Sequence, residues 1–293
     1  MKILVSGAGG QLGQSLNNEI FDRRFEVVFY KKDKLDISKK IKIKNIIFKE
    51  NPNVIINCAA YTNVEMAEKQ KTLAKKINTD GVKYLAQICS LKNIFLIHIS
   101  TDFVFDGKKN ISYNVNDKTN PINYYGLSKL LGEKEIIKYC KKYIIIRTSW
   151  LFSEYGNNFF KMLLHKKNRN KRFKIVNDQI GNPTYAKDLS KTLIIILKSI
   201  NESKKLKSGI YHYSGFKQCS WYDFACQINE YAIRKNFLKK RLNIEPISST
   251  KYGKNLAKRP YFSSLNSAKI IKEFNLPYSK LENNIMQTIK NLK

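Results

Sequence analysis

The chain has 293 residues and a formal net charge of +31, with 43% hydrophobic and 12% aromatic residues, a composition that excludes a disordered chain and allows a sizeable core. No apolar run approaches the ~18 residues that span a bilayer, and the N-terminal one is too short for a signal peptide, so the expectation is no membrane and a cytoplasmic location. Five cysteines without a CxxC pair and three scattered histidines exclude a disulfide framework and a zinc site.

The charge raises the question of nucleic acid. Of the 54 cationic residues only eight are arginines, the residue that reads bases and phosphates bidentately. The forty-six lysines are spread over nearly every predicted helix, as codon drift on solvated faces would leave them. A nucleic-acid partner is therefore not expected.

Residues 2–6 predict a short buried strand, and Gly7-Ala8-Gly9-Gly10-Gln11-Leu12-Gly13 then opens a helix carrying Leu12, Leu16 and Ile20. Glycines at 7, 10 and 13 allow a tight turn and close backbone approach, and a helix N-terminus offers free N–H groups to a pyrophosphate. A second strand, Phe25 to Tyr30, ends in Tyr30-Lys31-Lys32 without the carboxylate that would hold a ribose 2′-hydroxyl. That favours NADPH over NADH; the other reading is two more lysines in a lysine-rich chain. Asp36 of Asp36-Ile37-Ser38 could accept from an adenine amino group or cap the helix predicted over 38–50.

A third, near-continuously apolar strand covers Pro52 to Asn57 and ends in the small residues Cys58-Ala59-Ala60-Tyr61-Thr62. One long helix is predicted over 63–92. A fourth strand, Ile94 to Ile99, delivers Ser100-Thr101-Asp102 to the same sheet edge; its His98 reads as a core residue. The Thr101 hydroxyl could bond a substrate carbonyl, or the triplet could only cap the next turn. Tyr124-Tyr125-Gly126-Leu127-Ser128-Lys129 begins the next helix, and Tyr143 to Arg147 makes a fifth strand ending in Thr148-Ser149-Trp150. Five strands alternating with helices over about 150 residues make an α/β, Rossmann-like doubly wound parallel sheet. Residues 1–150 are the expected NAD(P)-binding domain. Residues 151–293 show a mixed pattern, read as a smaller interwoven α+β substrate lobe with segments returning to the first domain. Helices are expected over 185–199 and from Trp221 to Tyr231, and a strand from Ile210 to Tyr213.

Tyr125 and Lys129 stand four residues apart, which places them on one helix face roughly 6 Å apart at Cβ. An ammonium beside a phenol favours the phenolate, so the Tyr125 pKa should fall toward working pH. With the glycine loop for a cofactor and Thr101 as a third group, the residues point to a nicotinamide-dependent carbonyl reductase.

These motifs resemble the extended short-chain dehydrogenase/reductase family, and within it the reductases of dTDP-linked keto sugars. Besides the glycine loop and the Tyr-x-x-x-Lys helix, the resemblance is carried by Arg147-Thr148-Ser149-Trp150, Gly156-Asn157-Asn158-Phe159, Asp178-Gln179-Ile180-Gly181-Asn182-Pro183-Thr184 and Arg259-Pro260. It implies that Tyr125 protonates the C4 carbonyl oxygen of a dTDP-4-dehydro-6-deoxy sugar as NADPH delivers hydride. Lys129 would bind the nicotinamide ribose and Thr101 would orient the carbonyl. Gly7, Gly10, Gln11, Leu12 and Gly13 would cover the pyrophosphate. Tyr30, Asp36 and Ile37 would lie by the adenosine, and Ala60, Tyr61, Thr62 and Ile99 by the ribose and nicotinamide. Asp102, Phe103 and Trp150 match substrate-contacting positions, and Arg259 could clamp the diphosphate. The implied pathway is nucleotide-sugar biosynthesis for cell-surface polysaccharide.

Two departures qualify the resemblance. Phe103 stands where the family has tyrosine, removing a hydroxyl contact to the sugar. Some members form a magnesium-bridged dimer through acidic residues, one of them on the first helix; here that helix reads Gln14-Ser15-Leu16-Asn17, so no metal is carried over and a homodimer stays open. Two alternatives remain: another sugar-nucleotide 4-ketoreductase or epimerase, and a non-catalytic NADP-binding regulatory subunit like that of methionine adenosyltransferase.

Overall fold

Strands buried on both faces should alternate their side chains between two cores, and β1 (Lys2–Ser6) does so. Ile3 and Val5 face one helical layer while Leu4 faces the other. In the computed structural model, which describes residues 1–165, 172–202, 207–253 and 257–292, the first half continues with α1 (Gln11–Glu19), β2 (Glu26–Tyr30), α2 (Lys40–Glu50) and β3 (Val54–Asn57). Then come α3 (Val64–Lys69), α4 (Lys71–Lys75), a π-helical turn (Lys76–Gly81), α5 (Val82–Leu91) and β4 (Phe95–Thr101). A 3-10 turn (Asp102–Val104), α6 (Tyr124–Tyr139) and β5 (Tyr143–Thr148) complete it.

The second half runs β6 (Leu151–Phe152), α7 (Phe159–Leu164), β7 (Arg172–Val176), β8 (Ile180–Gly181), β9 (Thr184–Tyr185) and α8 (Ala186–Asn201). After these come β10 (Gly209–His212), β11 (Cys219–Ser220), α9 (Trp221–Arg234), β12 (Asn243–Ile247), α10 (Ala268–Phe274) and α11 (Leu281–Asn291). Among the described residues no helix is long and apolar enough to cross a membrane.

The main sheet has six strands in the order β10-β5-β4-β3-β1-β2, every pair parallel. One core layer joins Leu12 and Leu16 of α1 to Leu189, Leu193 and Ile196 of α8. The other joins Ile43 and Ile47 of α2 to Val82 and Leu85 of α5 and Ile136 of α6. A third core, with Phe152, Phe160, Phe224, Ile228 and Ile285, sits in the second half of the chain. β1 has β2 on one side and β3 on the other, so the winding reverses there and a crevice opens at the strands' C-terminal ends.

The helix expected over 63–92 is broken. The π turn aims Asn78 inward, where its Oδ1 accepts from the Tyr61 N–H at 2.8 Å. Its Nδ2 donates to Tyr61 O at 3.0 Å and to Ser128 Oγ at 2.9 Å. The break therefore ties the loop after β3 to α6.

Two glycines set how closely α6 approaches the 3-10 turn after β4 and the π turn. A Cβ on Gly126 would lie 2.0 Å from Phe103 O, and one on Gly132 would lie 2.2 Å from Asn78 O. Only glycine permits that approach, which brings Tyr125 and Lys129 against the end of β4. The helix starts where Asn123 Oδ1 accepts from the Gly126 N–H at 2.8 Å. Farther along, Glu133 is buried beside Arg147 of β5, with Nη2–Oε2 at 2.7 Å and Nε–Oε1 at 3.0 Å. Ser100 Oγ donates to the same carboxylate, so α6 is locked to β4 and β5 together.

Candidate active site

A cleft of about 930 Å³ runs along the C-terminal ends of β1, β3, β4 and β5. At one end the backbone closes in on the glycine loop: a Cβ on Gly7 would sit 2.5 Å from Ala59 N, and one on Gly13 would sit 2.6 Å from Ala8 Cα. α1 starts at Gln11 with no side-chain cap and no acidic residue in its first turn, so its N-terminal N–H groups stay available. Such a cradle fits a dinucleotide pyrophosphate.

Along the wall lie Gly7, Gly10, Gln11, Leu12, Gly13, Asp36, Ile37, Ala60, Tyr61, Thr62 and Ile99, with Thr101, Asp102, Phe103, Tyr125, Lys129, Trp150 and Arg259 beyond them. Asp36 also accepts from the Ser38 N–H at 3.0 Å, closing a turn, and α2 begins after Lys39. Tyr30 is the exception among the expected residues. Its phenol donates to Glu50 Oε1 at 2.7 Å, and its carbonyl accepts from Ala8 at 3.1 Å, so it supports the glycine loop from behind. Lys32 lines the cleft instead.

Tyr125 and Lys129 share one face of α6, but the electrostatic expectation for them fails. Burial pushes the Tyr125 phenol up to about 12, Thr101's hydrogen bond pulling it partly back. The reason is where the amine points. Lys129 Nζ donates to Ile99 O at 2.7 Å and lies 3.2 Å from His98 Nε2, so it faces β4 rather than the phenol. Burial also draws Lys129 down to about 8, against an opposing pull from Glu133. At neutral pH the phenol is thus a proton donor in its acid form.

Thr101 takes the capping role left open for it, and its hydroxyl also faces Tyr125 and Asp102. Its Oγ1 accepts from the Phe103 N–H at 3.2 Å, capping the 3-10 turn, and hydrogen-bonds the Tyr125 phenol from the same place. It also donates to Asp102 Oδ1 at 3.0 Å. Asp102 is only 3% exposed, and burial pushes its carboxyl up to about 7. Phe103 stands edge-on to Tyr125, with centroids 5.8 Å apart.

The far wall is aromatic. Trp150 has a left-handed backbone (φ 44°) and stacks on Trp221 at 3.7 Å. A Cβ on Gly181 would lie 2.4 Å from the Trp150 ring, so the ring's seat depends on that glycine. A bulky residue at positive φ is held against local strain by its surroundings, a feature that clusters at functional sites. Trp221 also lines this wall, as do Gly156, Asn157 and Phe159 of the Gly-Asn-Asn-Phe motif, and none of the four was expected as a site residue. Nothing local marks Trp221 as a site residue, since its place depends on α9 folding back over β6. At the rim Arg259 Nη2 lies 3.1 Å from Glu65 Oε1, while its Nε is buried without a hydrogen-bond partner among the described residues.

The chain matches the model of the RmlD substrate binding domain family over residues 1–293. It belongs to that family. A dTDP-4-dehydrorhamnose reductase of Aggregatibacter actinomycetemcomitans is 40% identical over 293 residues, covering 100% of this chain and 98% of the relative. A crystal structure of dTDP-4-dehydrorhamnose reductase from Bacillus anthracis in complex with NADP superposes with a TM-score of 0.89 at 34% identity, covering 99% of each chain. A dTDP-4-keto-6-deoxy-D-glucose reductase of Streptomyces niveus is 32% identical over 223 residues, 76% of this chain and 75% of that one. The family match spans the described cleft from its glycine loop to Arg259.

Proposed function

We propose that the protein reduces the C4 keto group of dTDP-4-dehydrorhamnose with NADPH, giving dTDP-L-rhamnose. The observation that carries this reading is Tyr125, Thr101 and Lys129 in the middle of one cleft, between a pyrophosphate cradle and Arg259. Residues 1–150 would hold the cofactor and residues 151–293 most of the sugar nucleotide. The bound nicotinamide would supply the hydride. Lys129 would hold its ribose, and Ala60, Tyr61, Thr62 and Ile99 would flank it. The Tyr125 phenol, kept in its acid form, gives its proton to the carbonyl oxygen as negative charge develops there. The Thr101 hydroxyl, turned from Asp102 Oδ1 to the same oxygen, fixes the carbonyl against Tyr125. Phe103 and the Trp150–Trp221 stack exclude water from the sugar's surroundings, and Arg259 takes the diphosphate. The resemblance to the Streptomyces niveus enzyme favours one second reading, a reductase of the D-gluco 4-keto-6-deoxy sugar. Magnesium has no assigned place in this scheme.

Lys32 on the cleft wall supports NADPH, because a 2′-phosphate beside an ammonium gains a charge-assisted bond. The expected result of steady-state kinetics with the keto-sugar nucleotide is a KM for NADPH about tenfold below that for NADH, or ~1.4 kcal/mol. Lys32→Ala should narrow that gap. A preference for NADH would overturn the cofactor assignment, and NADPH binding without turnover would favour a regulatory role.

A further inference from the structure

Asn123 does two things with one side chain. Its Oδ1 accepts from the Gly126 N–H at 2.8 Å, and its Nδ2 donates to Lys258 O at 2.8 Å. A backbone N–H can only donate and a backbone carbonyl can only accept, so the amide's orientation is fixed at both ends. The residue is 5% exposed. Two positions before Tyr125, it starts α6 and also grips the segment that carries Arg259.

That segment is held along its length. Glu65, in the first turn of α3, accepts from the Ala257 N–H through Oε2 at 3.1 Å and from Arg259 Nη2 through Oε1 at 3.1 Å. Next to Arg259, Pro260 sits so closely on Gly107 that a Cβ there would lie 2.5 Å from Pro260 Cβ. Beyond it, Tyr261 O accepts from the Ile180 N–H at 2.7 Å. Arg259 lines the cleft with Nη2 on Glu65 and its buried Nε–H without an acceptor among the described residues. A guanidinium tied at one nitrogen and open at another suits a diphosphate oxygen.

We propose that Asn123 is a positioning residue for the sugar nucleotide: by bonding Lys258 O from the cap of α6, it sets the Arg259 guanidinium in register with the Tyr125 phenol. This deepens the reading of Arg259 as the diphosphate clamp and rests on it. The diphosphate fixes one end of a ligand whose keto group must reach Tyr125, and one amide ties both anchor points to the same helix start. The clamp is then ordered before the ligand arrives, which strengthens binding and aligns the carbonyl. A helix cap needs only an acceptor, which serine or aspartate supplies equally well. The amide adds a donor at the reach of Lys258 O.

The test is calorimetric titration of dTDP into the full chain saturated with NADPH. Asn123→Ser keeps an acceptor for the start of α6 and is too short to reach Lys258 O. It should weaken dTDP about tenfold, the worth of one good hydrogen bond, and leave NADPH affinity unchanged. A change that merely loosened α6 would displace Lys129 as well and weaken both ligands; that result would overturn the proposal. Arg259→Ala supplies the link, because on that background Asn123→Ser should cost nothing further. Additive losses would contradict action through Arg259. Wild-type dTDP affinity in Asn123→Ser beside a weakened Arg259→Ala strikes the proposal alone, whereas an Arg259→Ala protein that binds dTDP normally removes the diphosphate reading and the proposal with it. Asn123→Asp, which also caps but sets an oxygen against the Lys258 carbonyl, should show the same loss and serves where the serine variant does not fold. None of these readouts uses turnover, so failure of the reductase reading would show separately.

Discussion

Replacing Tyr125 with phenylalanine is expected to lower turnover by about 10²–10⁴-fold, the usual worth of a positioned general acid. The phenol is the group whose proton must reach the carbonyl oxygen. The Thr101 hydroxyl is a far weaker acid than a phenol, and Lys129 is committed to Ile99 and His98. No neighbour stands ready to replace it. The ring itself would survive, still edge-on to Phe103, so NADPH affinity and melting temperature should change little. Titration of the variant with NADPH, beside a turnover assay, separates loss of chemistry from loss of the site. Equal losses in binding and turnover would remove Tyr125 from the acid's role.

Glu133→Leu should give the largest loss of stability from one substitution at the site's foundation. Glu133 and Arg147 are 1% and 3% exposed at their side chains and make three N–O hydrogen bonds. Removing the carboxylate leaves a buried guanidinium over the Phe105 ring, with its centre 5.2 Å from the ring centroid and without its counter-ion. Breaking such a pair costs about 3–5 kcal/mol, which for a chain of this size lowers Tm by on the order of 10 °C. The double variant Glu133→Leu, Arg147→Met should recover most of the loss, because no charge is then left unpaired. Urea denaturation of the two variants checks both statements. A single variant as stable as wild type would mean that α6 is held by its glycine contacts and apolar face alone.

Much of the architecture was legible because parallel strands buried on both faces write a long apolar run into the sequence. The runs of β1, β3, β4 and β5 end in a glycine or a small polar group at the sheet's C-terminal edge. The turns that bind phosphate are local, so the glycine loop could be read from seven residues. Other features depend on contacts far apart in the chain. β10 adds itself beside β5, across more than sixty residues, by burying Tyr211 against α10; no local pattern specifies that neighbour. The π turn at 76–81 answers to Gly132 and Ser128 on α6, and appeared from the sequence as uninterrupted helix.

The site divides along the same line. Spacing alone placed Tyr125 and Lys129 on one face, yet it could not say where the amine would point. The Ile99 carbonyl and the His98 ring decided that, and burial then raised the phenol instead of lowering it. Tyr30 was expected at the adenosine because it ends β2. Its side chain turns toward Glu50, and the chain turns after β2 so that Lys32, beyond the strand, is the residue on the cleft. Trp221 stayed invisible because only the fold-back of α9 brings it under Trp150. His98 read as an ordinary core residue, which its burial supports, while its partners give it a chemical neighbour in Lys129.

The central claim is direct hydride transfer to a sugar C4 held beside Tyr125. The most direct measurement uses NADPH carrying deuterium at both nicotinamide C4 positions, incubated with dTDP-4-dehydrorhamnose and the full-length protein. Mass and proton NMR spectra of the product should show one deuterium, at C4 of the sugar in dTDP-L-rhamnose. Cofactor bound without any label reaching the sugar, or label at a carbon other than C4, would contradict the account.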